Sequence, residues 1–223
     1  MKATLDHVVQ ETETIATFWF KPERPLRYVA GQFIELTIPH DSPDDRGVKR
    51  WFTLSSAPGH ELVTITTKHA DKPSTFKQHL WGLKPGDTVD ISEPMGDFVL
   101  PKDTSLPLVF VAGGIGITPF HSIVQWLTDT GQNRNITFIY SVHSESEVVF
   151  RELFNKPYIK VIERVDQPNL TAKVIIRLAG GINGKQVFIS GPEPMTEAIV
   201  DQFKHLGLTQ DQLITDYFPG YAA

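Results

Sequence analysis

The sequence predicts two domains of different class: an antiparallel Greek-key β-barrel over residues 1–102, then a doubly wound α/β domain with a parallel sheet over residues 103–223. Two observations carry this. Short strand-like runs punctuated by turn residues fill the first part. Apolar runs alternating with helical segments fill the second, and a glycine-rich stretch stands at its first strand-to-helix junction.

In the first part the strand-like runs are Leu5–Val9, Thr14–Phe20, Gln32–Ile38, Trp51–Ser55, Leu62–Thr67 and Thr88–Ile91. Turn chemistry separates them at Ala30-Gly31, Pro39 to Gly47, Pro58-Gly59 and Pro85-Gly86-Asp87. Ser74–Leu83 reads as a short helix with Ser74 or Thr75 as its N-cap. Several short strands closing on themselves make a small barrel.

In the second part Leu108–Ala112 is a nearly continuous apolar run, as a strand covered on both faces requires. Pro119 suits the first position of a helix reaching Thr130. Strand Ile136–Ser141, helix Glu145–Phe154, strand Ile159–Ile162, helix Thr171–Leu178, strand Gln186–Ser190, helix Pro194–Leu206 and strand Gln212–Thr215 follow. This alternation gives a parallel sheet.

Composition excludes several functions. The formal net charge of -5 and pI near 5.9 give no basic surface for nucleic acid. The chain has no cysteine, so disulfides, cysteine-ligated iron–sulfur clusters and thiol catalysis are excluded. Its eight histidines show no HExxH spacing, and no metal site is expected. Met1 to Gln10 lacks the apolar core of a signal peptide and no run approaches a membrane span, so the expectation is a cytoplasmic protein. Asp41 to Asp45 reads as a solvated loop, and His69 and His79 as surface residues. Ser55 and Ser56 have no histidine-containing nucleophile signature beside them, which argues against a hydrolase.

Two stretches carry chemistry. Val111-Ala112-Gly113-Gly114-Ile115-Gly116-Ile117-Thr118-Pro119 joins a buried strand to a helix. Glycines there let backbone amides approach a ligand, and a helix N-terminus favours a diphosphate. The spacing departs from the usual dinucleotide fingerprint, so a tight turn with glycines for steric reasons is the competing reading. Arg50-Trp51-Phe52-Thr53-Leu54-Ser55-Ser56-Ala57-Pro58 offers a guanidinium, aromatics and hydroxyls on one strand. Alternation puts Arg50, Phe52 and Leu54 on one face and Trp51, Thr53 and Ser55 on the other. Such a strand suits a flat aromatic cofactor with a diphosphate tail, against the plainer reading of a barrel strand with one exposed arginine.

Taken in order, these stretches resemble the ferredoxin–NADP⁺ reductase superfamily over essentially the whole chain. Gly31-Gln32-Phe33 is similar to its turn into a barrel strand, and Arg50-Trp51-Phe52-Thr53 to its flavin motif of arginine, any residue, tyrosine, then serine or threonine. Glu93-Pro94-Met95-Gly96-Asp97-Phe98 resembles its barrel-closing segment, and Gly113 to Pro119 its Gly-Gly-x-Gly-x-Thr-Pro nicotinamide loop. Ser190-Gly191-Pro192 with Met195 resembles its Cys-Gly-Pro segment, and Asp216-Tyr217-Phe218 its acidic, any, aromatic ending.

The resemblance implies an FAD-dependent NAD(P)H oxidoreductase. Arg50 and the helix start at Ser74 and Thr75 are expected to bind the FAD pyrophosphate. Phe52 keeps the stacking of the usual tyrosine without its hydroxyl, and Thr53 faces flavin N5. Trp51, Thr66 and Lys68 are counted with the FAD site. Gly113, Gly114, Gly116, Thr118, Pro119, His143, Arg164, Gly191, Pro192 and Met195 are expected at the nicotinamide nucleotide. Thr53, Ser190, Asp216 and Phe218 are the candidates at the transfer site. Ser190 replaces the usual cysteine and Asp216 the usual glutamate; either Phe218 or Tyr221 covers the flavin. Electrons are expected to go to a separate acceptor such as a ferredoxin, flavodoxin or oxygenase component. A reductase of free flavin and a non-catalytic nucleotide-binding electron-transfer subunit are the alternatives. Glu163-Arg164 stands where the family often has serine or threonine then arginine; Arg164 suits a 2′-phosphate and Glu163 repels one, so a weak preference for NADH is expected.

Overall fold

The computed structural model describes residues 1–167 and 169–216. In the first part, β1 (Lys2–Gln10), β2 (Ile15–Pro22), β3 (Phe33–Thr37), β4 (Lys49–Thr53), β5 (Val63–Lys68) and β6 (Thr88–Ile91) form a six-stranded antiparallel sheet in the order β4-β3-β6-β1-β2-β5. The return of β6 between β1 and β3 makes the order a crossed one, not a meander. Just past β4 the Ser55 N–H donates to Thr64 O at 2.8 Å, which draws the two edge strands together and closes the sheet into a barrel.

Alternation fills the barrel. Phe18, Phe20, Ile34, Leu36, Phe52 and Ile65 turn inward. Helix α1 (Thr75–Gly82) adds Phe76 and Leu80 to the same core. Ser74 caps it: its Oγ accepts the Lys77 N–H at 3.3 Å.

The second part runs β7 (Leu108–Gly113), α2 (Thr118–Asp129), β8 (Ile136–Val142), α3 (Arg151–Phe154), β9 (Ile159–Val165), α4 (Ala172–Leu178), β10 (Gln186–Ser190), α5 (Glu193–His205) and β11 (Leu213–Asp216). The five strands are parallel in the order β11-β10-β7-β8-β9. Both faces are covered, which explains the unbroken apolar strands. Phe110, Phe138 and Phe188 face α2, where Phe120, Ile123 and Leu127 meet them. Val109, Val111, Val187 and Ile189 face α4 and α5 through Ile175, Ile199 and Phe203. The chain winds outward from β7 in one direction to β9 and in the other to β11. The carboxyl ends of β7 and β10 therefore flank the switch point where open α/β sheets bind ligands.

One predicted element is corrected. The expected helix over Glu145–Phe154 is a 3-10 turn at Glu145–Glu147 and a single α-turn, α3. Phe150 between them has φ 61, outside the right-handed helical region, and Val149 turns into the core. The β-branched pair Val148-Val149 gains more from that burial than from continuing a helix.

The two parts share packing. Ile15, Ala30 and Phe98 belong to the same buried cluster as α2 and its sheet face. Gly31, at φ +99, shows why this junction needs glycine: a Cβ there would lie 1.9 Å from Phe98 O. Buried Arg134 donates to Pro101 O at 2.8 Å and Asp103 O at 2.6 Å, pinning the connection between the sheets.

Candidate functional site

The outer face of β4 meets the carboxyl edge of the parallel sheet. Thr53 Oγ1 donates to Asp216 Oδ2 at 3.2 Å, joining the barrel to the last residue of β11. Both residues are buried. Burial pushes the Asp216 carboxyl up to about 7, against the lowering effect of the Thr53 hydroxyl. A carboxyl poised near neutrality holds or releases a proton at this face without large cost. Next along the strand, His121 Nδ1 lies 2.6 Å from Ser55 O and Ser122 Oγ donates to Ser56 O at 2.5 Å. These α2 residues fix the glycine loop against β4; desolvation holds the His121 imidazole below its ordinary range, so it serves as a neutral donor.

The switch point is built from glycine contacts. Gly114–Ile117 winds as one 3-10 turn leading directly into α2, with Thr118 and Pro119 buried at the junction. A Cβ on Gly116 would lie 2.3 Å from Ser190 O, and one on Gly191 3.2 Å from Gly113 Cα. The loops after β7 and β10 thus touch backbone to backbone. Met195 covers them: its Cε would sit 2.6 Å from a Gly113 Cβ and 2.5 Å from a Gly191 Cβ. Ser190 is buried and in register with both Ala112 and Asp216. Gly114, at φ +50, has open space beside it. Gly113, Gly114, Gly116, Thr118, Pro119, Gly191, Pro192 and Met195 are therefore gathered at one end of the sheet, with Thr53, Ser190 and Asp216 beside them.

A second group lies at the barrel mouth on the opposite face of β4. Arg50 sits over the Phe76 ring at 5.2 Å and its Nη2 donates to Asp44 Oδ1 at 3.2 Å. Asp44 Oδ2 accepts the Thr75 N–H at 3.0 Å. The loop read as solvated is thus anchored at Asp44, a correction to the sequence reading. Desolvation would raise the Asp44 carboxyl, but the amides of Thr75 and Arg46 and the Arg50 guanidinium outweigh it and hold it below its usual range.

Several expected contacts take another form. Phe52 is in the barrel core, stacked on Phe76 at 5.9 Å, because its pairing opposite Ile34 turns it inward; it presents no outer stacking surface. Trp51 is exposed beside Phe33. Thr66 belongs to a buried hydroxyl ladder, 2.9 Å from both Thr17 Oγ1 and Ser55 Oγ. Lys68 Nζ donates to Glu147 Oε1 at 2.7 Å, tying β5 to the α/β part. His143 is exposed just past β8, whereas Arg164 is buried and on the opposite strand face from Glu163, so it does not stand at the surface ready for a phosphate. Arg151, which the sequence reading missed, grips Glu163 through Nε–Oε1 at 2.8 Å and Nη2–Oε2 at 2.7 Å, and also reaches Glu145 at 2.7 Å. Those hydrogen bonds hold Glu163 below the usual carboxylate range. Phe218 and Tyr221 lie outside the described residues.

Comparison with known proteins agrees with this fold. Residues 110–201 match the oxidoreductase NAD-binding domain family. Flavohemoprotein A of Dictyostelium discoideum is 27% identical over 234 residues, which is 96% of this chain and 59% of that protein. This chain therefore spans less than two thirds of that relative. A cytochrome P450 reductase of Amycolatopsis superposes with a TM-score of 0.82 at 20% identity, covering 97% of this chain and 69% of that one. A ferredoxin NADP⁺ reductase of Neisseria gonorrhoeae, solved with bound FAD and NADP, superposes at 0.79 with 17% identity, covering 97% of this chain and 98% of that one. With an oxidoreductase NAD-binding domain over residues 110–201 behind a barrel of this topology, the chain has the same fold as these two reductases.

Proposed function

We propose that the protein is a flavoprotein reductase that takes hydride from NADH or NADPH onto bound FAD and passes electrons to a separate redox-protein acceptor. The observation that carries this is the Thr53–Asp216 pair standing beside the two touching glycine loops at the sheet's switch point. The superposed reductases support it: one was solved with FAD and NADP, and the other is a P450 reductase.

The residues present fit the cofactor. Arg50 and the Thr75 amide already hold an oxyanion, the Asp44 carboxylate, so their donor chemistry suits a phosphate. Bound FAD supplies the passage from a two-electron donor to one-electron acceptors. The chain's own work is placement. Thr53 offers its hydroxyl at the ring edge, and Asp216 holds a proton behind it. Gly116 and Gly191 let the two loops touch, Gly114 has open space beside it, and Met195 must give way from Gly113 and Gly191 as a flat ring enters. Ser190 contributes no thiol. The mutually anchored α2 and β4 keep the two ligands' sites in one register. No helix of the described residues is long and apolar enough to cross a membrane.

The nucleotide preference proposed is for NADH. Glu145, Arg151 and Glu163 together carry two carboxylates against one guanidinium at the carboxyl side of β8 and β9, a net negative surface for a 2′-phosphate. A carboxylate about 4 Å from a phosphate charge costs roughly 1 kcal/mol in water. Wild type should therefore show the higher kcat/KM with NADH, and Glu163→Ser should move the ratio roughly five- to tenfold toward NADPH. A wild type that strongly favours NADPH, unmoved by the substitution, would remove this surface from the nucleotide site.

The test of the reaction itself is rapid mixing of FAD-loaded protein with NADH. Bleaching of the flavin absorbance within the turnover time supports it, and bound flavin inert to both nucleotides overturns it.

A further inference from the structure

We infer that Asp44 is an internal competitor for the flavin diphosphate and sets how firmly this chain holds FAD. The inference rests on the reductase reading above, which needs the Arg50 and Thr75 donors for the cofactor's phosphates.

The side chain occupies those donors. Asp44 Oδ2 takes the Thr75 N–H at 3.0 Å; Oδ1 takes the Arg46 N–H at 3.1 Å and Arg50 Nη2 at 3.2 Å. The Asp44 N–H also donates to Thr75 Oγ1 at 3.0 Å, so residue 44 and the helix start are tied in both directions. Arg50 Nη1 turns to the carbonyls of Arg46 at 2.6 Å, Gly47 at 3.1 Å and Lys49 at 2.6 Å. The guanidinium thereby closes the 41–49 loop onto itself. It is well covered, with its side chain 11% exposed, and the Asp44 side chain is 25% exposed.

A carboxylate and a phosphate oxygen ask for the same thing: convergent N–H donors and a guanidinium. They also repel each other, so the two anions do not share this cradle. FAD must therefore displace Asp44 and reopen the loop, and the diphosphate gains only the difference between its own contacts and those Asp44 gives up. Riboflavin has no phosphate and asks nothing of this cradle. Asp44 should selectively weaken flavins that carry the diphosphate and bring the chain toward exchangeable flavin. The opposite role is a buttress: Asp44 orients Arg50 for the phosphate and strengthens FAD binding.

Fluorescence titration of the flavin-free chain with FAD and with riboflavin separates the two. Asp44→Asn removes the charge and keeps the shape; Asp44→Ala removes the acceptor as well. Competition predicts FAD binding tighter by on the order of tenfold or more in both variants, with riboflavin within about threefold of wild type. The riboflavin titration also reports that the barrel is folded. FAD affinity that falls, stays level or changes in step with riboflavin overturns the inference and leaves the reductase reading intact. Failure of wild type and both variants to bind either flavin overturns the reductase reading together with it.

Discussion

Asp216 gives the molecule a pH dependence opposite in sign to that of a salt-bridged carboxylate. Its carboxyl is raised to about 7 by burial, while an unfolded aspartate titrates near 3.9. Between those values the folded state holds a proton that the unfolded state releases. Its contribution is therefore fully present below about pH 4 and is lost as pH rises toward 7, by about 4 kcal/mol in all. Asp216→Asn keeps the neutral form at every pH. Its Tm should exceed that of wild type at pH 8 and approach it near pH 4; a gap that does not change with pH would show that Asp216 titrates normally. The residue types at this face were legible from the sequence, because Thr53, Ser190 and Asp216 stand in motifs. Asp44 and Arg151 were not: each acts through a contact across a loop, and no spacing in the sequence announces it. Whether Arg164 stands at the surface depends on which strand face β9 turns outward, which a one-residue change of register reverses, so its spacing alone does not fix it.

At the scale of elements, the contact of the loops after β7 and β10 is what makes the crevice. Gly116→Ala places a methyl 2.3 Å from Ser190 O and must push the loops apart. It should destabilise the protein by about 1–3 kcal/mol and weaken nucleotide binding. Gly114→Ala meets no atom within 4 Å and costs only the positive φ, about 1 kcal/mol. Thermal unfolding and nucleotide titration of both variants check this, and equal losses would place the constraint in backbone conformation instead of close approach. Periodicity carried most elements here: β7 was legible as an unbroken apolar run and β1 to β6 by their turns. The region between β8 and β9 was not, because Val148 and Val149 fit a helical apolar pattern equally well until the core claims them in an extended turn.

At the scale of the whole molecule, the barrel and the α/β part are set against each other by few but specific groups. His121 and Ser122 reach the backbone of Ser55 and Ser56, Lys68 reaches Glu147, and Gly31 lets Phe98 close on α2. Ser122→Ala leaves a buried carbonyl with one donor fewer and should cost about 1–2 kcal/mol. It should lower the rate of flavin reduction more than flavin affinity, since it loosens the register between the two ligand sites; an equal loss in both would place its effect in the barrel alone. No sequence pattern foretold these contacts, since each depends on how two separately predictable sheets dock.

On the proposed reading, this docking brings a nicotinamide and a flavin together between Thr53 and the glycine loops. It is tested most directly by anaerobic rapid mixing of the FAD-loaded protein with NADH, following the flavin's visible absorbance in wild type and in Gly116→Ala. Bleaching should be fast and complete in wild type and much slower in the variant with its FAD retained. Bleaching at the same rate in both, or none in either while the bound flavin can still be reduced chemically, would contradict it.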